Sequence, residues 1–288
     1  MRITNGVMVG NMMKHLQDNM KKLDDLNQKL ASGKKFQNPS ENPIGATTSM
    51  ELKNILKSNN QYIDNIEQSK DWLNSSESAL NNAGKILQRG RELAVNGANG
   101  SLAKGDRKAL ANEVEQLHNE LITISNTQLG DQYLFSGQKT NTAAFDENGN
   151  FQGDTRAIER EIGPDTTMRI NANGKRTFED AIERLDLLKE HLNNDNASAI
   201  QQDISELDKA IDINVKDRTK IGAKINRLDL TQNRFEEEKI QTKELLSKNE
   251  DVDIAQTITN LKMQESVYRA SLSVGARSIQ PSLVDFIK

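Results

Sequence analysis

Three histidines, His15, His118 and His191, and several carboxylate pairs are the residues of this 288-residue chain with the means to do chemistry. Metal binding or general acid–base catalysis would need several of them within one loop or one helical turn. The histidines instead fall in three separate helical segments, with no metal-ligand spacing among them. Asp24-Asp25 and Glu236 to Glu238 lie in polar helical stretches, where solvation accounts for them. Asp146, Asn148 and Asn150 alternate like the opening of a calcium loop. However, the glycine stands at Gly149 rather than just after Asn150, so a hairpin turn is the reading that fits. Gly-rich phosphate loops, G-x-S-x-G elbows and H-E-x-x-H are absent, and with no cysteine there are no disulfides or thiolate sites. The expectation is no catalytic, metal or cofactor-binding residue, and no enzyme.

What remains is a chain built to pack. Only 35% of it is hydrophobic and 4% aromatic, against 28% charged, and its mean hydropathy is -0.73. A round domain of this length needs a larger apolar share. A thin helical bundle does not, because each helix turns only a narrow seam inward. The 38 basic and 42 acidic residues leave a net charge of -4, which gives no general field for nucleic acid. The lysines of residues 14–35 read as a solvated helix face. No stretch approaches the roughly 20 apolar residues of a membrane span. A cleavable secretory signal is not expected either.

The seams are regular. Val9, Met12, Leu16, Asn19, Leu23, Leu26 and Leu30 alternate spacings of three and four, with Asn19 the polar member that sets register. Gly33 then reads as a helix end, with Lys34 and Lys35 at the negative pole of the dipole. Pro39 holds Asn38 out of the helical region. Asn42 and Pro43 read as cap and first residue of the next helix. Two of the four prolines thus mark a joint between two helices. Leu52, Ile55, Tyr62, Ile66, Leu73, Leu80, Ile86 and Leu87 carry a long helix to a turn at residues 96–100. Asp106 is expected to cap the next helix, which carries Leu110, Val114, Leu117, Leu121 and Ile124.

Residues 130–177 change period, with short alternating runs around Asn148-Gly149, Gly163-Pro164 and Asn173-Gly174, read as two hairpins. Thr177 and Asp180 fit a capping signature for the helix that follows. Ile200, Ile204, Leu207, Ile211, Ile221, Ile225, Leu228, Phe235 and Leu246 continue in one register to a break at residues 249–253. A last seam has Ile254, Ile258, Leu261, Tyr268, Leu272 and Ile279, with Glu265 and Gly275 in phase. The fold class expected is mainly α: an elongated helical bundle or coiled coil formed by the two terminal segments, with a small β-hairpin insertion. The segments expected are a terminal coiled-coil helix over 1–42, a helical rod over 43–130, a β-rich insertion over 131–177, the returning rod over 178–250, and a second terminal helix over 251–288.

Five stretches, in this order, resemble the flagellin family: MRITN, LASGKKFQNPSENPIGA, GDRKALANEVEQLHNEL, QYLFSGQKTNTAAF and SLSVGARSIQPSLVDFIK. The Pro-Ser-Glu-Asn-Pro loop and Gln280-Pro281-Ser282-Leu283 resemble the branch that joins hook to filament more than the filament subunit, flagellin, which is the alternative. The resemblance implies a structural, extracellular part of the bacterial flagellum at the hook–filament junction, exported through the flagellar type III channel. It implies self-assembly in a helix or ring, and as partners hook-associated protein 1, flagellin and an export chaperone, with no nucleic acid and no membrane insertion. In that setting Leu16, Leu23, Leu30, Ile254, Ile258, Leu261, Leu272 and Ile279 are the expected assembly seam. Pro39 and Pro43 are the expected joint between an inner tube and an outer rod, with the β insertion turned outward.

Overall fold

The computed structural model describes the backbone of residues 5–279 and the side chains of residues 6–276. The first four residues, the side chain of Ile279 and the Gln280–Leu283 motif lie outside the described residues. The fold is mainly helical. Its helices are α1 (Asn5–Ser32), α2 (Pro43–Gly97), α3 (Lys104–Ser125), α4 (Asp180–Asn193), α5 (Ala197–Glu250) and α6 (Ile254–Ile279). Between α3 and α4 lie two antiparallel hairpins, β1 (Gln128–Leu129) with β2 (Gln132–Tyr133), and β3 (Glu159–Gly163) with β4 (Thr166–Arg169). Packing divides the chain into two units, residues 1–57 with 239–288, and residues 58–238.

The larger unit is built on a heptad whose alternate positions are large and small. On α2, Ile66, Leu73, Leu80 and Leu87 recur every seven residues and are fully buried. Between them, also every seven residues, stand Ser69, Ser76, Ala83, Gly90 and Gly97, all buried. The small members are holes for knobs. A Cβ on Gly90 would meet Leu185 Cδ2 of α4 at 2.7 Å, and one on Gly97 would overlap Leu192. α4 therefore sets leucines seven residues apart into the two glycine notches, a close approach that any larger residue would block. Arg107 on α3 closes the end of α2. Its Nε donates to the Gly97 carbonyl at 2.8 Å, its Nη2 donates to that of Asn99 at 2.7 Å, and it pairs with Asp195 of the α4–α5 turn. The Gly97 carbonyl is one of the orphan acceptors of a helix end. On α5, Ile200, Leu207, Ile221, Leu228 and Phe235 are buried as their spacing predicts.

The β-rich segment shares this core rather than closing one of its own. Leu134, Phe135, Ala144, Phe145, Ile162, Met168 and Ile170 belong to the same buried cluster as the helices. So short a segment, with strands of two to five residues, has too little apolar surface to fold apart. The hairpins also differ from the sequence expectation. β1 and β2 turn at Gly130-Asp131, outside the turns that the sequence marks, and β3 and β4 turn at Pro164-Asp165 with an irregular register at Glu161/Gly163. Asn148-Gly149 does turn the chain, closing a single bridge between Phe145 and Phe151. Asn173-Gly174 does not. It opens a π-helical turn, Lys175–Glu179, that runs into α4. Thr177 is therefore no cap: it is buried, and its Oγ1 donates to Asp217 at 2.8 Å. Asp106 likewise sits inside the first turn of α3, with Ala103 at the cap position.

Candidate assembly site

The smaller unit pairs α1 with α6. The seam residues of α1 behave as their spacing predicts: Val9, Met12, Leu16, Asn19, Leu23, Leu26 and Leu30 are half-buried, while most of their neighbours along the helix are exposed. Asn19 fixes the register of an antiparallel pair. Its Nδ2 donates to Ser271 Oγ at 3.3 Å and its Oδ1 accepts from Gln264 Nε2 at 3.1 Å. A slip of one residue would break both bonds, so this polar seam position specifies one alignment.

On α6 the face turned to α1 coincides only in part with the stripe that apolar periodicity selects. Thr257, Asn260, Leu261, Gln264, Glu265, Tyr268, Ser271 and Gly275 are the covered residues. Leu261, Glu265, Tyr268 and Gly275 belong to both sets. Ile254, Ile258 and Leu272 do not, being 49%, 45% and 43% exposed, and Met263, Val267 and Val274 are exposed beside them. Small or polar residues on the inner face let the helices approach closely, and Met12 seats its side chain against Gly275. The consequence is a helix that spends its larger aliphatic side chains outward. Val7, Met8, Met13 and Met20 on α1 are also exposed, and an apolar groove of about 560 Å³ lies between Met8, Met12 and Leu16 on one side and Val267 and Val274 on the other. Exposed apolar residues gathered on one helical pair make it a candidate interaction surface.

The joint is closed by more than its prolines. Gly33 takes the left-handed conformation at φ 69° and ends α1. Its carbonyl accepts from Val252 N at 2.9 Å, while Lys35 N donates to the Glu250 carbonyl at 2.6 Å, so the α1–α2 loop forms a short ladder with the α5–α6 loop. Asn42 caps α2 by accepting from Gly45 N at 3.0 Å. A Cβ on Gly45 would strike the Phe36 ring at 2.9 Å, so this glycine admits the ring. Pro39 and Pro43 are both exposed at the rim of this turn. Glu250 sits at its centre, buried, with Lys53 at 2.5 Å and Lys34 at 2.9 Å, and Lys34 reaches Asp251 at 2.8 Å. Burial works against the charge of Glu250, but hydrogen bonds from Lys53, Lys34 and Ser49 outweigh it and bring its carboxyl down to about 2.

This depression carries a pH dependence. The ordinary value is 4.5, so the stabilisation from ionised Glu250 is complete above that pH and is lost as pH falls from there toward about 2. It amounts to about 2–3 kcal/mol, on the order expected for a shift of this size with half-exposed lysine partners. Protection of the Lys35 and Val252 amides, corrected for intrinsic exchange, is expected to drop across that window. In Glu250→Gln it is expected to start low at neutral pH and to change little with acid. Equal protection of these amides at pH about 5 and about 2.5 in the wild type, with the rest of the fold intact, would be the contrary result.

The residues with chemical potential stay apart. His191 Nδ1 lies 2.7 Å from Asp203 of α5, His118 Nδ1 lies 3.3 Å from Asn119, and His15 is exposed on α1. Asp146 accepts from the backbone N–H groups of Asn148 and Asn150 and from the Asn150 and Gln152 amides, so the turn's own donors occupy the oxygens a cation would need. Among the described residues no group of three or more His, Asp or Glu could hold a metal ion. None of the described helices is long and apolar enough to cross a membrane.

Comparison with known proteins gives this geometry its context. A family profile described as the bacterial flagellin N-terminal helical region matches residues 3–140. Flagellar hook-associated protein 3 of Escherichia coli is 28% identical over 181 residues, which cover 62% of this chain and 57% of that protein. The match thus spans little more than half of that relative's length. The flagellar filament 33 kDa core protein of Treponema phagedenis is 30% identical over 233 residues, or 77% of this chain and 74% of that one. Among solved structures, a putative flagellar hook-associated protein from Vibrio parahaemolyticus shares the fold at TM-score 0.68 and 23% identity, covering 73% of this chain and all of that chain. With the treponemal identity sustained over more than two thirds of both partners, and the flagellin profile covering its N-terminal half, the chain belongs to the flagellin family.

Proposed function

We propose that this protein is a structural subunit of the bacterial flagellum, joining hook to filament, and that it works by assembly without catalysis, cofactor or metal. The observation that carries the reading is the outward display of Ile254, Ile258 and Leu272 on a helix pair whose own contact is made by smaller and more polar residues. Apolar surface left out of the intramolecular seam, at both ends of one chain, suits contact with neighbouring copies. In this reading Leu16, Leu23, Leu30 and Leu261 hold the pair together, Ile254, Ile258 and Leu272 meet neighbours, and the loop of Pro39 and Pro43 is the joint between terminal helices and rod. The further partners are hook-associated protein 1, flagellin and an export chaperone. The subunit is extracellular, reaching its place through the flagellar type III channel. The Escherichia coli relative's name, hook-associated protein 3, supports the junction position.

A filament subunit is the second reading, favoured by the treponemal filament core protein, which matches over a larger share of its length. The two readings differ in where the protein sits. Immunogold labelling of isolated flagella is expected to give a single band at the distal end of the hook. A strain lacking the gene is expected to shed filament protein into the medium from bare hooks. Label along the whole filament would assign the chain to the filament instead.

A further inference from the structure

Four cations of the larger unit converge on one cavity of about 270 Å³: Arg169 at the end of β4, Arg176 in the π-helical turn, and Lys220 and Lys224 one turn apart on α5. Asp217 is the one carboxylate lining it, and it is buried and already engaged. Arg176 pairs with it, Thr177 Oγ1 donates to it at 2.8 Å, and Lys220 Nζ lies at 3.5 Å. Four positive charges against one negative leave a surplus that no lining residue neutralises. Arg169 donates from Nε to Asn171 Oδ1 at 3.0 Å, but its Nη2 is buried with no acceptor. An unpaired buried N–H of a charged group is costly, and its presence points to a missing acceptor. Lys224 has no ion pair among the described residues, and burial, then Arg169 and Lys220, push its ammonium pKa down against the single pull of Asp217.

We infer that this cavity binds a small multivalent oxyanion of the phosphate type. Arg169 brings a guanidinium whose Nη2 lacks an acceptor, while Lys224 and Lys220 supply point charges. A surplus of several charges selects a divalent ion over chloride or a single carboxylate, because attraction scales with the product of charges. The volume holds one such ion with waters around it. The site lies wholly within residues 169–224 of one unit, so it does not depend on how the subunit assembles.

The probe is inorganic phosphate, titrated into the full-length chain against sodium chloride at matched ionic strength, with calorimetry and thermal unfolding as readouts. A saturable signal of one ion per chain and a higher melting temperature in phosphate are expected. Lys224→Gln is expected to weaken binding about tenfold or more, the factor commonly lost with one charge-assisted contact. This variant folds without difficulty, since it removes an unpaired and repelled charge, and is expected to melt no lower than wild type in chloride. Arg169→Gln tests the guanidinium, and exposed Lys85→Gln is the control that leaves binding unchanged. The inference is overturned if phosphate adds nothing beyond chloride, or if its effect survives intact in Lys224→Gln. Binding of a hexaglutamate peptide with no response to phosphate also overturns it, and would assign the cavity to the acidic segment of a partner.

Discussion

Purified Leu272→Asp is expected to melt within about 1–2 °C of the wild type, because a substitution at a site 43% exposed in the subunit costs under about 0.5 kcal/mol. In the assembled flagellum the same change is expected to abolish retention of the subunit, which would be secreted into the medium instead. The asymmetry follows from the two faces of α6. A neighbour that covers Leu272 would bury an unpaired carboxylate in its variant, and desolvating a charge costs more than truncating an aliphatic side chain. In a symmetric assembly that loss recurs at every copy of the interface. Leu261 supplies the contrast. It is turned toward α1, so Leu261→Asp is expected to separate the helix pair itself, with loss of amide protection in both α1 and α6. Melting of purified protein and retention on isolated hook–basal bodies measure the two outcomes. A large fall in melting temperature with retention intact for Leu272→Asp would put that residue inside the subunit and reverse the assignment.

The stripe containing Leu272 was legible in the sequence, but not the direction it faces. Periodicity locates a set of apolar positions that wants burial, and it is silent on whether the partner is in the same chain. On α1 the two answers coincide, and Asn19 is the polar seam residue in the structure as in the sequence. On α6 they separate in part, because Thr257, Gln264 and Ser271 share the contact with Leu261, Tyr268 and Gly275 while Ile254, Ile258 and Leu272 stay exposed. A rule that scores only large apolar residues passes over such a face. The same bias hid half of the α2 seam. Its leucine positions stand out, whereas Ser69, Ser76, Ala83, Gly90 and Gly97 read as filler until α4 places Leu185 and Leu192 into the glycines.

Joint and cavity show a different limit. Gly33, Asn42 and Pro43 announce the α1–α2 loop through local chemistry, which the sequence displays directly. Glu250 gives no such sign, since its role depends on Lys34 and Lys53 brought from some two hundred residues away along the chain. The cation cavity is likewise assembled from β4, the π-helical turn and α5. Thr177 illustrates how the two levels compete. As a local signature it suggests a cap, but the buried Asp217 claims its hydroxyl, and the helix begins earlier as a π-helical turn.

Phe178→Ala is expected to cost about 3–5 kcal/mol, the range for truncating a buried aromatic, and to lower the melting temperature by roughly 10 °C in a unit of this size. Phe178 is 1% exposed and sits where the β-rich segment meets the helices. Its ring lies edge-on to Phe135 at 4.8 Å and to Phe145 at 6.2 Å, and Phe145 in turn contacts Phe151 at 5.3 Å. The helical side of the contact follows from chain position, since Phe178 leads into α4, whose leucines fill the α2 notches. Removing the ring therefore opens a cavity shared by hairpins and helices, and the two are expected to lose stability together. Amide exchange should show protection falling in residues 133–170 and in α4 by the same factor, within one cooperative transition. If the segment over 131–177 were a body of its own, the outcome would differ: an early transition confined to the hairpins, with α2 and α4 melting as in the wild type. That pattern would make the insertion a body of its own. A common loss would mean that the aromatic cluster makes the hairpins part of the helical core.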